Sequence, residues 1–158
     1  MEMAMDSSLF LYPPSRDPAQ LNPLVLAYIG DAVFEVFVRQ YVISQTNHRP
    51  NHLHRQSTRF VSAKAQAAAL QRLMPELSEE ERDIVKRGRN AKSGSSPRNT
   101  DILDYRHSTA FECLLGYLYY KQDYARLRRL AELVIEPPAE RESGLPDSAA
   151  ETKRREEL

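Results

Sequence analysis

The segment LAYIGDAVFE, residues Leu26–Glu35, is the centre of a long apolar run in the sequence. Asn22 and Pro23 stand just before this run. They are a typical helix start, because an Asn side chain caps free backbone N–H groups and Pro fits the first helical position. The pattern predicts a helix over residues 23–43. Since this helix is apolar on nearly every side, we expect it to be buried in a core or in an interface.

Asp31 is a carboxylate in the middle of this apolar run. An ionised carboxylate that is taken out of water needs a partner, a proton or a metal ion. One interpretation is an ion pair with an Arg of a neighbouring helix, and another is a role in chemistry. Glu35 lies four residues further on, so the two acids can share one face of the helix.

The length and composition of the chain predict a single domain with a terminal segment on either side. The 158 residues divide into an N-terminal arm at 1–20, a domain at 21–136 and a charged tail at 137–158 that we expect to be disordered. The sequence has five Gly and no strand-like alternating runs, which favours an all-α fold. The single cysteine, Cys113, excludes a disulfide framework and a cysteine-rich zinc site. Because no membrane span, signal peptide or transit peptide is recognisable, we expect a soluble, cytoplasmic protein.

The charges are unevenly distributed, although the formal net charge is zero. Residues 39–106 carry thirteen basic and seven acidic side chains, whereas residues 1–38 carry one basic and five acidic ones. A basic middle segment indicates an anionic partner. A solvated helical surface would give the same pattern, so composition leaves both interpretations open.

Helix-start signals recur along the rest of the chain. They are Pro50, Ser62, the capping-box sequence Ser78–Glu81, and Asp123. With apolar periodicity they predict four helices, and a second strongly apolar run predicts another. These helices cover about residues 50–60, 63–74, 79–89, 108–121 and 124–135.

Residues 87–100 are the clearest predicted loop, because they combine Gly, Ser, Asn and Pro with several cations. Small residues let the backbone approach a ligand closely, and the cations can neutralise phosphates. The residue order of a nucleotide-binding P-loop is absent. A flexible, solvated connection is the alternative to an anion contact. The predicted phosphate contacts are Lys64, Arg87, Arg89, Lys92 and Arg98.

Glu112 is the only acid in the apolar run at 108–121. Thr109 and Glu112 have the spacing of a capping box, which would make Glu112 structural. Alternatively, two acids from two apolar helices, near a basic loop, can hold Mg²⁺ at a phosphodiester, since Mg²⁺ needs only one or two protein carboxylates when phosphate and water complete its ligands.

Four sequence motifs make the chain similar to a known family. The segments 29–33 and 110–119 resemble the two acidic signatures of the ribonuclease III catalytic domain. The match is closer to its Mini-ribonuclease III group and covers about residues 20–135. A double-stranded-RNA-binding domain is not recognisable after it. The four matching motifs, in chain order, are LAYIGDAVFE at 26–35, RFVSAKAQ at 59–66, KRGRNAKSG at 86–94 and YRHSTAFE at 105–112.

This resemblance implies an all-α, homodimeric endoribonuclease that cleaves double-stranded RNA with Mg²⁺, for which Mn²⁺ can substitute. Its expected products carry 5′-phosphate and 3′-hydroxyl ends, and its expected substrate is the paired 5′ and 3′ ends of the 23S rRNA precursor. Participation of a ribosomal protein is left open. A non-catalytic helical module for RNA binding or ribosome assembly is the alternative.

The resemblance also implies roles for particular residues. Asp31 and Glu112 fall on the catalytic, metal-binding acids of the family. Larger ribonuclease III enzymes carry further acids four residues before the first and three before the second, where this chain has Ala27 and Thr109. The Mini-ribonuclease III group shares that departure. Tyr28 is the predicted dimer contact.

Overall fold

The computed structural model describes residues 9–92, 98 and 100–136. All regular secondary structure in these residues is helical, which confirms the predicted all-α class. Residues 1–8 of the predicted arm, residues 93–97 and 99 of the basic loop, and the predicted tail at 137–158 lie outside the described residues. The α-helices are α1 Pro23–Ser44, α2 Pro50–Val61, α3 Ala63–Leu73, α4 Glu79–Arg89, α5 Ile102–Tyr120 and α6 Tyr124–Ile135; short 3₁₀ turns occupy Pro18–Gln20 and Met74–Glu76.

The predicted helix-start signals are confirmed where side chains cap the helices. The Asn22 side chain accepts a hydrogen bond from the Leu24 N–H at 2.9 Å and caps α1. Ser62 caps α3, and Ser78 and Glu81 form both halves of the capping box at α4. Each bond satisfies a backbone N–H group that the helix itself leaves without a partner.

The start of α5 differs from the sequence prediction. The helix begins at Ile102, because Asp101 caps it through the N–H groups of Leu103 and Asp104. Thr109 therefore lies inside the helix, and its Oγ1 donates to the Tyr105 carbonyl at 3.0 Å. The predicted capping box of Thr109 and Glu112 is wrong, since neither residue is at a helix start.

Helix α5 is the centre of the fold, and α1, α3, α4 and α6 pack around it. Phe34 of α1 and Phe111 of α5 meet edge to face in the core, with ring centroids 4.9 Å apart. Both side chains are fully buried. Edge-to-face contact of this kind stabilises the core beyond the area that it buries.

Two glycines let α1 and α5 cross with their backbones in contact. A Cβ atom added to Gly30 would lie 1.8 Å from the Glu112 carbonyl oxygen, and one added to Gly116 would lie 1.9 Å from the Leu26 carbonyl oxygen. Any larger residue would push the helices apart. The crossing therefore requires glycine at both positions.

The described part of the N-terminal arm packs on the helices. The centroid of the Phe10 ring lies 5.5 Å from the ring centroid of Tyr119 and 6.1 Å from that of Tyr120. The Arg87 guanidinium donates to the carbonyl oxygens of Ala19 at 2.8 Å and Leu21 at 3.1 Å. These contacts fix the approach of the chain to α1.

Arg126 of α6 faces the rest of the protein. Its guanidinium forms an ion pair with buried Glu81 at 2.8 Å and donates to the Glu76 carbonyl at 2.7 Å. The pair joins the start of α6 to the start of α4. Helices long and apolar enough to cross a membrane are absent from the described part of the chain.

Candidate active site

The crossing of α1 and α5 brings Asp31 and Glu112 together. Asp31 follows Gly30, whose backbone touches the Glu112 backbone. The two carboxylates are close enough for the charge of Asp31 to act on Glu112. Burial, followed by this negative charge, raises the pKa of Glu112 to about 8.

The surroundings of the two acids are negative and partly accessible. Asp31 is exposed on α1 rather than buried as its apolar context suggested, and Glu112 is half-buried. Partial burial and the charge of Glu35 raise the pKa of Asp31. Among the described residues, neither acid forms an ion pair with Lys or Arg. The structure therefore does not support the interpretation of Asp31 as half of an ion pair.

Glu35 shares the α1 face with Asp31, as its spacing predicted. Its carboxylate accepts a hydrogen bond from Arg39 Nε at 3.0 Å, in an ion pair one turn further along the helix. Arg39 thus partly neutralises the negative charge of Glu35. Asp31 and Glu112 have no such partner in the described part of the chain.

Gln66 of α3 is a polar residue at the site that the sequence reasoning missed. It is 1% exposed, and its amide lies close enough to the Glu112 carboxyl to lower the pKa of that group, although the two side chains do not reach the geometry of a hydrogen bond. Burial and Asp31 outweigh this effect. The signal in the sequence is a Gln among small apolar residues on a helix, but periodicity alone does not show what that residue faces.

Exposed cations occur on both helices, α3 and α4, that pack on α5 near Glu112. Lys64 is exposed in the first turn of α3, two residues before Gln66. Gly88 of α4 packs against Ala110 and Cys113, so the end of α4 is level with Glu112 along α5. The other exposed cations predicted to contact phosphate, at the end of α4 and in the following loop, are Arg89, Lys92 and Arg98.

Arg87 differs from these cations in its contacts. Its two terminal nitrogens donate to backbone carbonyls of the N-terminal segment. Those hydrogen bonds occupy donors that a phosphate would need. Arg87 is therefore not one of the proposed phosphate contacts.

The two acids are suited to a magnesium site in which the protein supplies only some of the metal ligands. Groups of three or more His, Cys, Asp or Glu side chains able to hold a metal ion do not occur among the described residues. Mg²⁺ commonly takes one or two carboxylates and completes its six ligands with water and phosphate oxygens. Paired carboxylates without an ion-pair partner among the described residues fit that ion, because a divalent charge would offset the burial and the repulsion by Asp31 that raise the pKa of Glu112.

Comparisons with known proteins show which family the sequence resembles. The Ribonuclease III domain family matches residues 24–123. Mini-ribonuclease 3 of Brevibacillus brevis is 56% identical over 120 residues, which are 76% of this chain and 87% of that protein. Mini-ribonuclease 3 of Enterococcus faecalis is 46% identical over 127 residues, covering 79% of this chain and 96% of that protein.

A solved structure has a similar fold. The crystal structure of a Fusobacterium nucleatum protein superposes with a TM-score of 0.70 at 28% identity, and covers 77% of this chain and 98% of that one. Ribonuclease III enzymes act on double-stranded RNA and are generally metal-dependent. From its sequence and its fold, this chain belongs to the Mini-ribonuclease III group of the ribonuclease III family and is an endoribonuclease.

Proposed function

We propose that Asp31 and Glu112 hold Mg²⁺ and that the protein uses this site to hydrolyse phosphodiester bonds of double-stranded RNA. The observation that carries the proposal is the pair of carboxylates at the Gly30–Gly116 crossing, which has no cation partner among the described residues. When bound, Mg²⁺ supplies Lewis acidity at the phosphate and promotes attack by water, and Mn²⁺ can take its place.

Asp31 and Glu112 have different parts in this proposal. Asp31 is exposed and can meet the RNA backbone, whereas Glu112 is half-buried and is held by the core of the protein. Ala27 and Thr109, at the positions of the additional acids of larger enzymes, are buried and supply no carboxylate. Water and RNA phosphate oxygens would therefore complete the ligands of a bound Mg²⁺.

Exposed cations of α3, α4 and the following loop are the proposed contacts with the RNA backbone. Lys64 belongs to the first turn of α3, and Arg89, Lys92 and Arg98 belong to the end of α4 and the loop that follows it. Segment 36–75, which includes α2, contains no Asp or Glu. An A-form duplex exposes its phosphates and 2′-hydroxyls across a wide minor groove, so recognition would depend mainly on shape.

A homodimer would cover the exposed apolar face of α1. Tyr28 is 85% exposed, and Val25, Val36 and Ile43 are also exposed along the same helix. Their spacing of three, eight and seven residues follows one side of the helix. Two copies joined by a two-fold axis through this face would present two equivalent sites to one RNA duplex.

The proposed substrate is the paired 5′ and 3′ ends of the 23S rRNA precursor, with 5′-phosphate and 3′-hydroxyl ends as products, and the proposed location is the cytoplasm. The identity of this substrate is inferred from the resemblance to the Mini-ribonuclease III group. A ribosomal protein bound to the precursor is a further proposed partner.

Cleavage of a 23S-like precursor stem tests this function. The stem and a single-stranded RNA of the same composition would be incubated with the protein in Mg²⁺, in Mn²⁺ and in EDTA. We expect cleavage of the stem with either metal, no cleavage in EDTA and little cleavage of the single strand. Binding of the stem without cleavage under any condition would instead support the non-catalytic RNA-binding module.

A further inference from the structure

Gln66 is a polar side chain among the otherwise apolar buried residues of α3. It lies in α3, in a segment of small apolar residues, and is 1% exposed. Its Nε2 has no partner within hydrogen-bonding geometry among the described residues. A buried donor without a partner destabilises a fold, so an apolar residue would serve better if packing were the only requirement.

The neighbour that accounts for this donor is Glu112. Helix α3 packs on α5, and the Gln66 amide lies beside the Glu112 carboxyl. In the described part of the chain, Asp31 is the only other side chain that acts on the Glu112 carboxyl, and its negative charge repels that group.

We propose that Gln66 is a positioning residue, whose side-chain NH₂ donates to the Glu112 carboxylate and orients it towards Asp31 for binding of one divalent cation. This inference rests on the proposed metal-binding role of Asp31 and Glu112. A Glu side chain has three rotatable bonds, and a donor fixed in the core restricts them before the cation arrives. Partners of this kind commonly tune the affinity of a metal site.

The neutrality of Gln66 suits this task. A Lys at this position would pair with Glu112 and compete with the cation, and a Glu would add a third negative charge to a half-buried site. An amide holds the carboxylate through a hydrogen bond and leaves the charges of Asp31 and Glu112 available to the metal.

The test is the variant Gln66→Met, which keeps the length and volume of the side chain and removes the donor. Gln71→Met is the matched control, because Gln71 is an exposed residue of the same helix. Mn²⁺ binding to the RNA-free protein would be followed by electron paramagnetic resonance. The Mg²⁺ concentration for half-maximal cleavage of a paired RNA, and RNA binding in Ca²⁺, would be measured alongside.

We expect Gln66→Met to fold, to weaken Mn²⁺ binding about tenfold or more, and to raise the half-maximal Mg²⁺ concentration by a similar factor. Excess Mg²⁺ would restore much of the cleavage, and RNA binding in Ca²⁺ would be unchanged. Gln71→Met would match the wild type. A folded Gln66→Met variant with wild-type values for both metals would overturn the proposal and leave Gln66 a packing residue.

Two further measurements separate the possible failures. If Asp31→Asn and Glu112→Gln also keep wild-type Mn²⁺ binding and Mg²⁺ dependence, the metal site itself has been misassigned. If Gln66→Met does not fold, the wild-type protein carries the test through the nuclear magnetic resonance signals of its Gln side-chain NH₂ groups. We expect Mg²⁺ to shift the signals of Gln66 and not those of Gln71; unmoved Gln66 signals would contradict the proposal.

Discussion

At the scale of single residues, Glu112 shows how the site is charged before any metal binds. Its carboxyl is half-buried beside Asp31, and its pKa rises from 4.5 to about 8. Between these values the folded protein retains a proton that the unfolded chain has released. The free energy of unfolding therefore falls as the pH rises from about 5 to 8.

Glu112→Gln should remove this pH dependence. In EDTA at pH 8, we expect the variant to be more stable than the wild type by about 1–2 kcal/mol, because the amide carries no charge into the site. Near pH 5, where the wild-type carboxyl is protonated, the two proteins should have nearly equal stability. Urea unfolding at both pH values, at one protein concentration, measures the difference.

Glu132→Gln is the control for that experiment, since Glu132 is exposed on α6. Its stability should follow the wild type at both pH values. If the stability of Glu112→Gln changed with pH as the wild-type stability does, the pKa of Glu112 would not be the source of that pH dependence.

At the scale of helices, the crossing of α1 and α5 positions the site. Gly30→Ala would place a methyl group 1.8 Å from the Glu112 carbonyl oxygen, a contact that only separation of the helices can relieve. We expect a loss of stability of about 3 kcal/mol or more, since overpacking against backbone cannot be relieved by rotating a side chain. Thermal unfolding followed by circular dichroism would measure it.

Gly88→Ala provides a graded comparison. The Cβ atom added there would lie 2.9 Å from its nearest neighbours, one of which is the Cys113 side chain. Its loss of stability should be smaller than that of Gly30→Ala. The described crossing would be contradicted by a Gly30→Ala protein with a wild-type melting temperature.

The helices were predictable where a local signal marks them. Asn22, Ser62 and Ser78 each cap a helix through a side chain close in sequence, so short motifs located those starts. The start of α5 was misplaced because apolar periodicity begins later than the cap at Asp101. The sequence could not show the crossing of α1 and α5, because it depends on two glycines distant along the chain.

The site was predictable to a similar extent. Asp31 and Glu112 stand out as acids in apolar runs, and the structure places them together. Gln66 escaped notice because its meaning depends on which side of α3 faces Glu112. Arg87 has the charge of a phosphate contact, but its backbone partners at Ala19 and Leu21 come from a segment more than sixty residues away in sequence.

At the scale of the whole molecule, the apolar face of α1 is the basis of the proposed dimer. Tyr28→Lys would place a charge in that interface and should weaken self-association about a hundredfold or more. Analytical ultracentrifugation over a range of concentrations would measure the monomer–dimer equilibrium. Tyr12→Lys is the control, because Tyr12 is 83% exposed and lies outside α1. A Tyr28→Lys protein that dimerises like the wild type would place the interface elsewhere.

We propose that Asp31 acts in the chemistry rather than in folding or RNA binding. The most direct measurement is single-turnover cleavage of a paired precursor stem in Mg²⁺ by wild type, by Asp31→Asn and by the exposed-helix control Asp83→Asn, with stem binding measured in Ca²⁺. We expect Asp31→Asn to lose cleavage about a hundredfold or more while it binds the stem normally, and Asp83→Asn to cleave like the wild type. An Asp31→Asn protein that cleaves at the wild-type rate would show that Asp31 has no part in catalysis.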